Sequence, residues 1–224
     1  MFESFRMRPS LIALSVVAML ALAAPAGAQS VVSTPTPRTL YKTGPSGRFL
    51  MGGTWLFKLD NHQSGPQLDA GTAGWKQVKV PNAWNAGDDS AQSFLGGVGW
   101  YRKDFRFPKA GKAASWVVRF ESVNYRSKIW LNGRPIGKNR GAYLPFEIRL
   151  PAGVIKRGLV NRLVIRVDSR RKQTDFPPSG LSIVGKPTGG WWNYGGLLRE
   201  VYLRKINDID FNTVVVRPDL PCAT

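Results

Sequence analysis

From Phe49 onward the sequence alternates with a period of two. Beyond Ala24 no stretch of ten or more residues carries apolar side chains three and four apart, the spacing an amphipathic helix needs. In Tyr101-Arg102-Lys103-Asp104-Phe105-Arg106-Phe107, one face takes Tyr101, Phe105 and Phe107, and the other Arg102, Asp104 and Arg106. Trp116, Val118 and Phe120 repeat the pattern, as do Leu163, Ile165 and Val167. Alternation of this kind sets one face on a core and the other in water. Further strands are predicted at Thr54–Leu59, Lys76–Val80, Phe146–Leu150, Leu198–Arg204 and Asn212–Val216. Between Ile129-Trp130-Leu131 and Ile136, the pair Asn132-Gly133 predicts a tight type I′ hairpin, because both residues tolerate positive φ. Pro135 cannot donate to a ladder, so the returning strand lies at an edge or starts with an irregularity. Eight or more short strands without helices predict an all-β fold, an antiparallel two-sheet sandwich. The pattern fits a jelly roll and an immunoglobulin-like sandwich alike; the lack of a Cys–Trp–Cys core counts against the latter.

Composition narrows the function. With 43% hydrophobic and 11% aromatic residues among 224, the chain can bury a core and is not a disordered tail. One Cys and one His exclude an internal disulfide and most metal clusters, and no cofactor is expected. Arg6 and Arg8, the apolar run Leu11–Ala24 and the small residues Ala26-Gly27-Ala28 read as a secretory signal peptide over residues 1–28. The run falls short of the roughly 20 residues of a membrane span. The expected product is secreted or periplasmic, with no membrane attachment after cleavage. Residues 29–48, rich in Ser, Thr and Pro, read as a flexible segment ahead of a domain at 49–207.

Chemistry-bearing residues are sparse. Glu121, Glu147 and Glu200 sit in or beside strand patterns that already explain them. His62 lies alone in a polar loop, Cys222 has no His companion, and Gly96-Gly97-Val98-Gly99 precedes a strand rather than a phosphate-holding helix. No catalytic and no metal-binding residue is assigned. The net charge of +18 raises polyanion binding as an alternative, but Lys and Arg are dispersed along the chain and export separates it from nucleic acid. The aromatic cluster Trp191-Trp192-Asn193-Tyr194 is more telling, because indoles stack on sugar rings while amides bond hydroxyls. Packing of at least one of these indoles on the core is the plainer reading. Asn85 and Asp88, in the loop Asn85–Ser93, are further candidates, although solvated loop carboxylates are commoner. The candidate substrate-binding residues are thus Trp191, Trp192, Asn193, Tyr194, Asn85 and Asp88.

Several segments together resemble the N-terminal sugar-binding domain of glycoside hydrolase family 2, especially its β-glucuronidase branch. They are Gly53–Phe57, Trp75 with Val80–Asn85, Gly99–Lys103, Arg119–Tyr125, Ile129–Gly133, Gly141–Phe146, Pro177–Gly180 and Asn193–Arg199. Order and spacing match from about residue 48 to 204. The resemblance implies a jelly roll of the galactose-binding type, followed in the family by an immunoglobulin-like sandwich and a (β/α)₈ barrel carrying both catalytic glutamates. A barrel needs about 250 residues by itself. The chain then corresponds to a fragment, inactive alone, with 208–224 starting the connection to the missing domains. The intact enzyme would cleave a terminal β-linked uronic acid or galactose. Two positions depart from the family pattern: Gly190 stands where an acidic residue often precedes the aromatic pair, and Asn139 where a His is common. A stand-alone secreted carbohydrate-binding module is the runner-up reading, and a basic polyanion-binding protein the third.

Overall fold

The computed structural model describes residues 28–38, 47–60, 65–111, 114–206, 209–211 and 214–218. The expected signal peptide (apart from Ala28), His62 and Cys222 lie outside the described residues. The strands are β1 (Thr36–Pro37), β2 (Arg48–Leu50), β3 (Thr54–Leu59), β4 (Lys76–Lys79), β5 (Asn82–Ala83), β6 (Val98–Phe105) and β7 (Ser115–Phe120). They continue with β8 (Val123–Asn124), β9 (Arg126–Leu131), β10 (Arg134–Arg140), β11 (Phe146–Leu150), β12 (Asn161–Asp168), β13 (Gly196–Leu197) and β14 (Val201–Ile206). One sheet runs β10-β9-β12-β6-β3-β4, a second β1-β2-β14-β7-β11, and a small third β5-β13-β8. Pairing within the sheets is antiparallel throughout.

The inner faces of the two large sheets share one core. Trp55, Phe57, Tyr101, Phe105, Ile129, Leu163 and Ile165 from the first meet Trp116, Val118, Phe120, Leu150 and Leu203 from the second. Ring pairs such as Phe57–Tyr101, centroids 4.9 Å apart, add to the area buried. The predicted hairpin forms: Asn132 (φ 51) and Gly133 (φ 82) turn β9 into β10. β10 is an edge strand, and its register slips between Pro135 and Gly137, so both readings of Pro135 hold.

Four expectations change. A short helix, α1 (Ala91–Leu95), stands in a chain read as helix-free, capped by the Ser90 hydroxyl accepting from the Ser93 amide at 3.1 Å. Val214–Val216 form no strand, and the rest of the segment predicted there is not among the described residues. Residues 29–38, within the segment expected to be flexible, take defined places: Ser33 bridges Phe105 of the first sheet and Thr36–Pro37 form β1 of the second, while Ala28, expected to end the signal peptide, packs on the cluster of Leu56, Trp75, Trp100 and Val164. β6 is consequently buried on both faces, although its Arg and Asp residues had predicted one solvent face. Asp104 accepts from Arg102, Arg162 and Ser30, and Arg102 also donates to the carbonyls of Ala70 and Gly71. Burial alone would raise the Asp104 carboxyl, but these bonds more than offset it and hold it at about 2. On the inner face, Lys103 Nζ donates to the carbonyls of Gly52 (2.7 Å) and Thr54 (2.8 Å), and burial pulls its ammonium down to about 8.

Candidate functional site

At one pole of the sandwich the loop after β12 meets the loop between β5 and α1. Asn193 is completely buried at their junction. Its amide nitrogen donates to the carbonyls of Phe94 (3.0 Å) and Ser169 (2.9 Å). Its oxygen accepts from Asn124 Nδ2 (3.1 Å) and Arg171 Nε (3.2 Å). Asn85, also buried, donates to the Asn193 carbonyl at 3.1 Å and accepts from the Gly195 amide at 2.9 Å. Asn124 reaches the Tyr194 carbonyl as well. Gly195 allows a close approach: a Cβ there would lie 2.2 Å from the Trp84 ring. Interior polar groups are stable only when partnered, and here nearly every one is.

Arg171 ties this knot to the aromatic surface. It donates to Asn124 Oδ1 (2.8 Å) and to the carbonyls of Phe176 and Pro177 (both 2.9 Å). Its guanidinium lies over the Tyr125 ring at 4.3 Å and the Trp191 ring at 4.7 Å. Burial lowers its pKa from the ordinary arginine value, and neighbouring Tyr143, Tyr125 and Asp175 work in the other direction. Phe94, the buried ring of α1, stands between the two indoles, 5.6 Å from Trp191 and 5.4 Å from Trp192.

The six candidate residues divide accordingly. Asn193 and Asn85, read from sequence as sugar-facing, are instead internal ties, because their amide groups are spent on loop backbone. Trp191 and Trp192 are half-buried, each with one side on Phe94, while Tyr194 is exposed. Asp88 is exposed on the turn before α1, and hydrogen bonds from Ser90 keep its carboxyl below the usual range. Gly190, at φ +66, precedes the indoles in the left-handed region that favours glycine. Asn124 and Arg171 were missed as organisers; Asn124 lies within a segment that carried the family resemblance, whereas no local pattern marks Arg171.

Elsewhere, Glu121 and Glu147 meet on Arg119, at 2.7 and 3.1 Å, and each has a second arginine, Arg48 or Arg204. Burial would raise the Glu147 carboxyl, but bonds from Arg204 and Arg119 prevail and lower it. Among the described residues no group of three or more His, Cys, Asp or Glu could hold a metal, and no helix is long and apolar enough to cross a membrane.

Two opposed antiparallel sheets with a loop-built pole define a jelly-roll sandwich of the galactose-binding type. The family model for glycosyl hydrolases family 2, sugar binding domain, matches residues 75–207, and the chain belongs to that family. A β-galactosidase of Thermoanaerobacter pseudethanolicus is 31% identical over 117 residues, covering 52% of this chain and 15% of that protein. A β-glucuronidase of Formosa agariphila is 26% identical over 168 residues, covering 69% of this chain and 16% of that protein. Among solved structures, a β-glucuronidase from an uncultured Clostridium species superposes with a TM-score of 0.62 at 26% identity, covering 76% of this chain and 31% of that one. The chain thus spans about a sixth of these two curated relatives.

Proposed function

We propose that this chain is the non-catalytic, N-terminal carbohydrate-binding domain of a secreted family 2 glycoside hydrolase. The parent enzyme hydrolyses terminal β-glycosidic bonds of the β-glucuronidase or β-galactosidase type, without a cofactor. The observation that carries this reading is the family match over residues 75–207. In this reading the immunoglobulin-like domain and the catalytic barrel lie outside the present sequence. Trp191, Trp192, Tyr194 and Asp88 face the sugar at the mouth of the barrel site, and the knot of Asn193 and Arg171 holds them in place. Exposed Tyr143, Leu144, Phe176, Ile183 and Val184 supply an apolar rim for the partner domains, since apolar surface left in water marks an interaction site. Residues 1–28 direct export and are removed, which N-terminal sequencing of the secreted product checks.

Calorimetric titration of the exported chain with uronic-acid and galactose oligosaccharides tests the sugar assignment. Binding that is lost in W191A/W192A, with the fold retained, is the expected result. Absence of heat up to about 1 mM ligand, where binding free energy is only about 4 kcal/mol, removes it. Hydrolysis of aryl β-glycosides above buffer background contradicts the non-catalytic assignment. A stand-alone binding module is the second reading, favoured by the core that both sheets complete between themselves. It requires full affinity in isolation, whereas the domain reading allows affinity to rise when the remaining domains are supplied.

A further inference from the structure

The register of the first sheet aligns Lys58, Trp100, Arg166, Lys128 and Lys138 in a single row across β3, β6, β12, β9 and β10. Neighbouring strands lie about 4.8 Å apart, so Arg166, Lys128 and Lys138 stand side by side on the outer face. Two residues along, Asp168, Arg126 and Arg140 form the next row. Together they border an open groove of about 470 Å³ whose wall Asn139 completes.

The charges of this groove are unevenly matched. Arg126 and Arg140 share Asp175, and Asp168 is held by Arg170 at 2.7 Å, with Arg166 only at 3.5 Å. Lys128 and Lys138 are exposed and form no ion pair among the described residues. Like charges directly across strands oppose folding. The opposite outer face avoids that cost: Arg48, Arg119 and Arg204 alternate with Glu121, Glu147 and Asp210 in one chain of ion pairs. Across three adjacent strands Lys138, Lys128 and Arg166 thus form a cationic row in which only Arg166 has a carboxylate partner, Asp168 at 3.5 Å.

We propose that this groove binds an acidic polysaccharide, with anionic sugar groups on Lys138, Lys128 and Arg166 and a hydroxyl on Asp168. The inference goes beyond the function proposed above and does not rest on the tryptophan loop. Nucleic acid fits less well. No aromatic side chain lines the groove to stack bases.

Titration of the full chain with polygalacturonate at low salt, beside neutral dextran and single- and double-stranded DNA, tests the proposal. Polygalacturonate is expected to bind, with an affinity that falls as salt screens the contacts. K128Q/K138Q/R166Q is expected to weaken binding about tenfold, the effect of three exposed charge contacts. K79Q/K109Q/K156Q removes the same net charge from exposed lysines elsewhere and is expected to leave affinity unchanged. Melting curves confirm that both variants fold; should the first not fold, K128Q alone reads the same row through a smaller loss. Equal weakening by the two triple variants, equal binding of dextran, no binding of polygalacturonate, or tighter binding of DNA through the same three residues would overturn it.

Discussion

Beneath Trp191 and Trp192, Asn193, Asn124, Asn85 and Arg171 spend their polar atoms on one another and on loop backbone. On the outer face of the first sheet, Lys128 and Lys138 make neither ion pair nor side-chain hydrogen bond among the described residues. Both regions are rich in polar groups, yet they differ in where the partner is. A group matched from within fixes a shape, because leaving a buried partner unmade is costly. An exposed group without a match adds nothing to the fold and leaves its interaction to a molecule that arrives. Polarity alone would misassign both regions, and it did so for Asn193 and Asn85.

The contrast can be broken at the knot first. N193A removes both donors from the buried carbonyls of Phe94 and Ser169 and an acceptor from Arg171, an expected loss of about 3–4 kcal/mol. For a chain of this size that lowers the melting temperature by about 10 °C, readable by calorimetry. A shift within error would show that the loop holds itself without the knot.

The next effect comes from Asp104, a charge on the same outer face as the open row but matched from within. Its folded pKa of about 2 lies below the ordinary carboxyl value of 3.8. Its stabilisation is therefore present above about pH 4 and disappears as pH falls through about 2, amounting to ~2 kcal/mol. Denaturant midpoints between pH 6 and pH 2 should show that loss in the native chain and a flatter profile in D104N. Smallest is the open row itself: K128Q/K138Q/R166Q should leave stability unchanged or raise it by about 0.5 kcal/mol, since it relieves cross-strand repulsion. A clear drop in melting temperature would mean that those cations have internal work after all.

Local features were legible from sequence where the cause is local. Thr54–Leu59 and Phe146–Leu150 coincide with β3 and β11, because alternation is a property of the strand itself. The Asn132-Gly133 turn and the Pro135 irregularity follow from backbone preferences of those residues. α1 escaped because its five residues are shorter than any periodic window and depend on Ser90 and on the pocket that receives Phe94. The second buried face of β6 escaped because it is covered by residues 28–33 and the loop near Ala70, far away in sequence. The knot joins residues 85, 124, 171 and 193, and the cationic row needs the register of five strands. Neither leaves a trace in any single segment. The sandwich class was legible from pattern, but its jelly-roll identity came through the family segments.

Ser30 and Ser33 decide how far the amino terminus can be shortened. The Ser30 hydroxyl donates to Asp104 at 2.6 Å, and the Ser33 carbonyl accepts from the Arg106 amide at 2.9 Å. A chain starting at Gln29 keeps both bonds. One starting at Thr34 loses them and leaves the Asp104 carboxylate with its arginine partners alone. A protease that nicks this stretch, or an affinity tag fused too close to it, would therefore unsettle β6 from outside without touching a single residue of the strand.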